Sequence, residues 1–346
     1  MSYLKGPNVE KALPHFPRNT SVLELLEASL RKSGDATAMV EGQTGKTATF
    51  AHILQQSTTA AAGLQSAGIT AGDYVVLCCD KSILSYSLLL GVMFTGATAV
   101  LCPTGRADII HLMTKGHRVK AAFFHKKYSE PVKTSLNSMD NPPSLVASID
   151  SEDPQMNAII TSKAECIMYK VENPEEHISI ILFSSGTTGE PKGIQMSDTA
   201  VTLMGVLFAP QVETLFNSSP IYWYTGVMTF ISSILNSYTV VMSNATDARE
   251  NMQLVQKYQA DGWFLSIGTM IQCTHVENIE TYDCSSIKEV YAGGEMMLKN
   301  VMEAFLAKVV GGPAMVQVMY GITEGGIMAT TNSDDKALLE TGLQPG

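Results

Sequence analysis

Residues 184–193 read Ser-Ser-Gly-Thr-Thr-Gly-Glu-Pro-Lys-Gly, with three glycines, four hydroxyls, a proline and a lysine in ten positions. That composition suits the binding of a polyphosphate. Gly186 and Gly189 let the backbone pass through φ > 0 and come close to a ligand. N–H groups freed in this way form an anion-binding nest. Ser184, Ser185, Thr187 and Thr188 add hydroxyl donors. Lys192 adds a mobile positive charge for phosphate oxygens, unless it is an ordinary surface lysine.

The stretch is not a Walker-type phosphate loop, which needs G-x-x-x-x-G-K-[ST] running into a helix. Counted from Gly186, the second required glycine falls on Pro191. The flanking residues instead predict a strand–loop–strand hairpin. The apolar, β-branched run 178–183 reads as a buried strand, and Ile194 and Met196 alternate onto one face of a second strand. A decoy lies upstream, where 42–47 read Gly-Gln-Thr-Gly-Lys-Thr with the glycines too close together. It reads as the turn between strands at 37–40 and 47–50.

The elements that must position the loop alternate between helix and strand. Helices are expected over 22–32, capped by Ser21, over 51–67, ended by Gly68, and over 85–94, stopped by Gly96. Strands are expected over 74–79, 97–101 and 120–124, and the polar segment 140–154 reads as a surface loop. Such alternation argues for an α/β protein with mostly parallel sheets. Two long uncharged stretches, 82–105 and 214–246, are broken by Gly, Pro, Ser, Thr or Asn. They read as buried helices and strands rather than membrane spans.

With 346 residues, 45% hydrophobic and 16% charged, the chain has ample core material for two lobes. Its net charge of −10 and lack of a basic stripe in the sequence argue against nucleic acid as a partner. The six cysteines have no C-x-x-C spacing and read as free thiols in a reducing compartment such as the cytoplasm. The seven histidines form no metal motif, and the spacing Cys273-Thr-His275 is read against zinc. Residues 1–11 lack the apolar core of a signal peptide.

Several further motifs stand in order along the chain. They are Ala71-Gly-Asp-Tyr-Val75, the glycines Gly91 and Gly96, Pro220-Ile-Tyr-Trp223, Tyr291-Ala-Gly-Gly-Glu295 and Tyr320-Gly-Ile-Thr-Glu324. Together with residues 184–193 they resemble the adenylate-forming superfamily of AMP-dependent synthetases and ligases. That family includes acyl-CoA synthetases, 4-coumarate–CoA ligases, luciferases and peptide-synthetase adenylation domains. The resemblance covers nearly the whole chain. It implies two stacked α/β lobes, with sheets sandwiched by helices, at about 76–197 and at 1–75 plus 199–330. It also implies a two-step reaction. A carboxylate attacks the α-phosphate of ATP to give acyl-AMP and pyrophosphate, and a thiol, usually of coenzyme A, then takes the acyl group.

Carried over residue by residue, the resemblance has Tyr320 stack on adenine beside Gly321. Gly293, Gly294 and Glu295 border the adenine and the acyl chain. Thr323 donates to the α-phosphate. Glu324 holds Mg²⁺, a hard cation that takes carboxylate and phosphate oxygens. Lys192 and the loop hydroxyls hold the departing phosphates, and Trp223 with Tyr224 walls the acyl pocket. Plainer readings stay open: Glu324 as a solvated loop carboxylate, Gly293-Gly294 as a turn, and Trp223 and Tyr224 as core aromatics.

The chain also departs from the family pattern. Ser197-Asp198 stands where a Thr-His pair is usual, Trp223 where many members have His, and Ser266-Ile-Gly-Thr269 where proline is common. After Glu324 the family continues into a β-barrel, a ribose-binding aspartate, a hinge and a mobile C-terminal domain with a catalytic lysine. The chain is therefore expected to be the N-terminal part of such a ligase, impaired by itself, with an exposed apolar patch where the missing parts would dock. The alternative is a non-catalytic paralogue that binds a nucleotide, an acyl ligand or a partner protein. A peroxisomal address, carried at an extreme C-terminus, would lie beyond Gly346. Losing one preorganised donor at a transition state costs about 10²–10³ in rate, and losing closure costs more. Pyrophosphate exchange by this chain is accordingly expected to run at least ~10³-fold below that of a complete relative. Normal turnover in that assay would contradict the expectation.

Overall fold

Fourteen strands, most of them short apolar runs, assemble into two sheets in the computed structural model, which describes residues 20–184 and 191–332. The strands, in chain order, are β1 (Thr37–Glu41), β2 (Thr47–Thr49), β3 (Tyr74–Cys78), β4 (Thr98–Leu101), β5 (Val119–Phe124), β6 (Leu145–Ser148) and β7 (Ile178–Ser184). They continue with β8 (Lys192–Ser197), β9 (Thr214–Asn217), β10 (Thr239–Met242), β11 (Gly262–Ser266), β12 (Glu289–Gly293), β13 (Met315–Ile322) and β14 (Gly326–Asn332). One sheet has the order β6-β5-β3-β4-β7-β8, and the other β14-β13-β12-β11-β9-β10-β1-β2. Inner pairs are parallel, while β1/β2, β7/β8 and β13/β14 close three edges as antiparallel hairpins. Parallel sheets need both faces covered, which explains strands that are apolar throughout rather than alternating.

Local chemistry sets the helices. In helix Val22–Ser33 the Ser21 hydroxyl accepts from Leu23 N–H, and Gly34 turns the chain out at φ 52°. Helix Phe50–Ser66 is capped by Thr49, which accepts from His52 N–H. Helix Ile83–Phe94 starts slightly before the expected position because Ser82 caps it, accepting from Ser85 N–H at 3.0 Å. Nearly every residue of that helix is buried, and it touches β1 of one sheet and β3 and β4 of the other. Its lack of charge is thus a core property. No helix among the described residues is long and apolar enough to cross a membrane.

Close packing of this helix and of helix Phe50–Ser66 depends on missing side chains. A Cβ on Gly91 would stand 2.8 Å from Ala60 Cβ, and one on Gly63 would collide with the Ile159 backbone. Overpacking at such contacts costs about 1–3 kcal/mol.

The segment 140–154 is not simply a surface loop. It contains the edge strand β6, paired in parallel with β5, and it ends in Asp153, which caps helix Pro154–Ile160. The short run Leu-Val-Ala carries little periodic signal, and its pairing with β5 is a tertiary event. All six cysteines are free thiols.

Ser197-Asp198 has a structural role. Ser197 caps helix Asp198–Leu207, and the fully buried Asp198 carboxylate accepts Val22 N–H at 2.6 Å and Ser179 Oγ at 2.9 Å. His177 Nδ1 lies 3.6 Å from the same carboxylate, and its Nε2 is 3.1 Å from the Gly96 carbonyl. Burial opposes charge on His177, but Asp198 and the Gly96 carbonyl outweigh it and raise its pKa. A histidine with a raised folded pKa contributes stability that is complete below its unfolded pKa, near ~6.5. That contribution fades as pH rises through the folded pKa. Asp198→Asn is expected to cost about 1–3 kcal/mol at pH 6, the scale of an impaired buried hydrogen-bond acceptor. The Tm gap between wild type and variant should narrow as pH is raised above that of the free imidazole. A gap independent of pH would show that His177 carries no charge here.

Candidate active site

The described members of the sequence-derived site lie at or near the carboxyl ends of strands, where open α/β sheets place their ligands. β7 and β8 form the expected hairpin, with Ser184 opposite Lys192 in the register. Ser185, Gly186, Thr187, Thr188 and Gly189 lie outside the described residues. Ser184 ends β7, and its hydroxyl donates to Glu324 Oε1 at 2.8 Å. Glu324 lies in the turn between β13 and β14, on the other sheet. This bond therefore joins the two sheets at the mouth of the site. The Ser184 hydroxyl, with Glu324's own amide and the charge of Lys192, holds the Glu324 carboxyl below the usual range.

Glycines bring the strand ends of the eight-stranded sheet together. Gly293 ends β12 opposite Met319 of β13, and a Cβ there would stand 2.6 Å from the Met319 carbonyl oxygen. Gly294 follows at φ 93°, in the left-handed region. Gly321 lies against the Gly326 carbonyl with no room for a side chain. The Tyr320 side chain is left 57% exposed at the edge of this tight corner. Thr323 is half-buried, and Glu295 is exposed beyond Gly294.

Trp223 and Tyr224 part company. Trp223 occupies the N-cap position of helix Tyr224–Asn236 and is 51% exposed. The Tyr224 ring instead packs into the β13–β14 corner, with its hydroxyl 2.6 Å from where a Cβ on Gly326 would lie. Burial pushes its pKa up to about 12, against the effect of the Ile327 N–H that its oxygen accepts. The structure thus brings Ser184, Lys192, Glu324 and Tyr224 around one corner, and leaves Trp223 and Glu295 on the rim. Tyr320, Trp223, Ile322 and Met328 are all about half exposed or more, so this mouth carries apolar surface.

Three roles come from the structure and not from the sequence. Ser266, opposite Gly293 in the register, caps helix Ile267–Thr274 by accepting Thr269 N–H at 3.0 Å. It does the work of ending β11 without proline. Phe208, Phe264 and Tyr291 pack edge to face beneath β11 and β12, and the Tyr291 hydroxyl donates to Glu289. Lys81, only 4% exposed, donates from Nζ to the Asn217 carbonyl at 3.2 Å, linking β3's end to β9's end. Burial pushes its pKa down to about 7. A signal for Lys81 was present, since with Asp80 it is the only charge in a long apolar stretch.

Comparison with known proteins bears on the family and the fold. The profile of the family described as AMP-binding enzyme matches residues 26–344. The probable CoA ligase CCL5 of Humulus lupulus is 26% identical over 347 residues, covering 92% of this chain and 60% of that protein. 4-coumarate–CoA ligase 1 of Petroselinum crispum is 24% identical over 332 residues, covering 90% of this chain and 58% of the relative. The chain thus spans about 60% of the length of these curated relatives. The luciferase-like enzyme of the nonluminescent Zophobas morio mealworm shares the fold at a TM-score of 0.83 and 23% identity, covering 95% of this chain and 79% of that one. With two helix-flanked sheets, an ordered set of motifs and a profile match over nearly its whole length, the chain belongs to the AMP-binding enzyme family of adenylate-forming ligases.

Proposed function

We propose that this chain supplies the ATP- and acid-binding part of an acyl- or aryl-CoA ligase. The observation that carries the reading is the Ser184–Glu324 hydrogen bond. It sets the end of the phosphate-loop strand against the Y-G-x-T-E turn, with Lys192 nearby. In this reading Lys192, Ser184 and the loop residues 185–189 hold the β- and γ-phosphates. Tyr320 offers an exposed ring to the adenine, and the side-chain-free edge at Gly293, Gly294 and Gly321 lets the nucleotide approach the backbone. Thr323 donates to the α-phosphate.

A carboxylate oxygen of the substrate forms a bond to the α-phosphorus as the bond to pyrophosphate breaks. Coenzyme A thiol then displaces AMP to leave a thioester. The family relatives are CoA ligases, which supports this acceptor. Trp223, exposed at the rim, is placed to contact the acyl or aryl group. Tyr224 is already engaged by Ile327 and acts by holding the β13–β14 corner.

A divalent magnesium ion fits the donor set. Magnesium is commonly held by one or two carboxylates plus substrate phosphates. Glu324, kept ionised, offers one carboxylate, and no cluster of three or more His, Cys, Asp or Glu exists among the described residues. When bound, the ion neutralises phosphate charge.

The loop assignment is tested by titrating ATP into wild type and Lys192→Ala in the presence of Mg²⁺. Loss of a charge-assisted contact costs about 1.5–3 kcal/mol, roughly tenfold to a hundredfold in Kd. Glu324→Gln should weaken ATP binding only when Mg²⁺ is present. An unchanged Kd for Lys192→Ala would remove the phosphate-site reading. Continuation of the encoded protein past Gly346 into a ribose-binding aspartate and a C-terminal lysine motif favours the ligase reading, and their absence from it favours the non-catalytic one.

A further inference from the structure

A cavity of about 970 Å³ opens between the turn that leads into β5 and the segment that leads into β6. β5, β6 and β7 run parallel in one sheet. The cavity therefore lies at the amino ends of these strands, and Ser184 at the opposite, carboxyl edge. The two places are separated by the length of a strand, and no side chain of the adenylation site lines the cavity.

Its walls are basic on a protein whose net charge is −10. Lys115, Arg118, Lys120, His111 and His117 line it, against a single carboxylate, Asp140. Lys120 is half-buried on β5, and no ion pair among the described residues includes it or Lys115. With no ion-pair partner, both ammonium groups are available to an anion in the cavity. The neighbouring basic groups are held in place. Arg118 Nε lies 3.3 Å from the buried Asp73 carboxylate. His117 packs against Tyr74 with the rings tilted and their centroids 4.4 Å apart. His111 Nδ1 is 2.9 Å from Ser135 Oγ. Across from them, Pro142 and Pro143 stiffen the other wall.

We propose that this cavity binds a free small anion bearing two or more phosphates, at a site separate from adenylation. A concave pocket in which cations outnumber carboxylates concentrates anions. Lysine is a good point-charge partner for phosphate, and the two unpaired lysines, Lys115 and Lys120, flanking the Asp73-paired Arg118, match a chain of phosphates better than one isolated anion. The volume falls within the range of small-molecule sites.

Isothermal titration of inorganic tripolyphosphate into the whole chain at low ionic strength tests the proposal. Two independent sites are expected. Lys192→Ala should remove one and keep the other. The double variant Lys115→Gln/Lys120→Gln should weaken the second at least tenfold and leave the first intact. Raised salt should weaken binding to these solvent-accessible cations. Hydrogen exchange should show tripolyphosphate protecting 114–120 and 138–144 in wild type and in Lys192→Ala. An unchanged melting temperature certifies the double variant as folded. If it does not fold, Lys115→Gln alone with the same exchange readout serves. A single site abolished by Lys192→Ala, or tripolyphosphate binding unaltered by the lysine variants, overturns the proposal. Binding to phosphatidylserine vesicles without any response to tripolyphosphate also overturns it, in favour of a membrane surface.

Discussion

Everything at the site depends on one buried helix. Ile83–Phe94 carries no charge, packs on β3 and β4 of one sheet and β1 of the other, and lies against Phe50–Ser66 with only hydrogen at Gly91. Its apolar surface is what the two sheets share. Burying such a helix contributes on the order of 25 cal/mol per Å² of apolar area, which no surface contact in the chain rivals. With the sheets stacked across it, the carboxyl ends of β7 and β13 have little freedom to separate. The Ser184–Glu324 bond exploits that closeness and does not create it. It is solvent-exposed, so its own contribution to stability is small.

The same constraint explains two unusual polar groups in the interior. Lys81 bonds to the Asn217 carbonyl between the ends of β3 and β9, and pays for burial with a depressed pKa. Asp198 gathers a helix N-terminus at Val22, a strand hydroxyl at Ser179 and the His177 ring. Each ties together segments far apart in sequence. Neither touches the mouth formed by Tyr320, Trp223 and Glu324, so both serve the scaffold on which the mouth is built.

Chemistry within the mouth is divided by backbone geometry. Gly293, Gly294 and Gly321 make a tight, side-chain-free edge, because a Cβ at two of them would strike the neighbouring strand and the third has φ 93°. The adjacent aromatic residues divide into one that is committed and one that is free. Tyr224 closes the β13–β14 corner through Ile327, and Trp223 stays exposed one residue away. Adjacent positions at a helix start face about 100° apart, so neighbours in sequence take different neighbours in space.

Local pattern alone determined a good deal. The hairpin around 184–193 follows from an apolar run, turn residues and a period-two return, and the failed Walker spacing follows from Pro191. The cap at Ser21, the buried helix at Ile83–Phe94 and the alternation that builds parallel sheets are all short-range signals. Other features waited for the tertiary structure. β6 looked like loop because three apolar residues carry no readable period until β5 lies beside them. Ser197-Asp198 looked like a lost motif until His177, Ser179 and Val22 converged on it. The basic cavity needs His111 and residues 114–120 to face residues 138–144 across the amino ends of two strands. Residue type and spacing encode what a segment is suited to do. Which segments meet is set by the stacking of two sheets over one apolar helix, a long-range packing result with no signature in any local window.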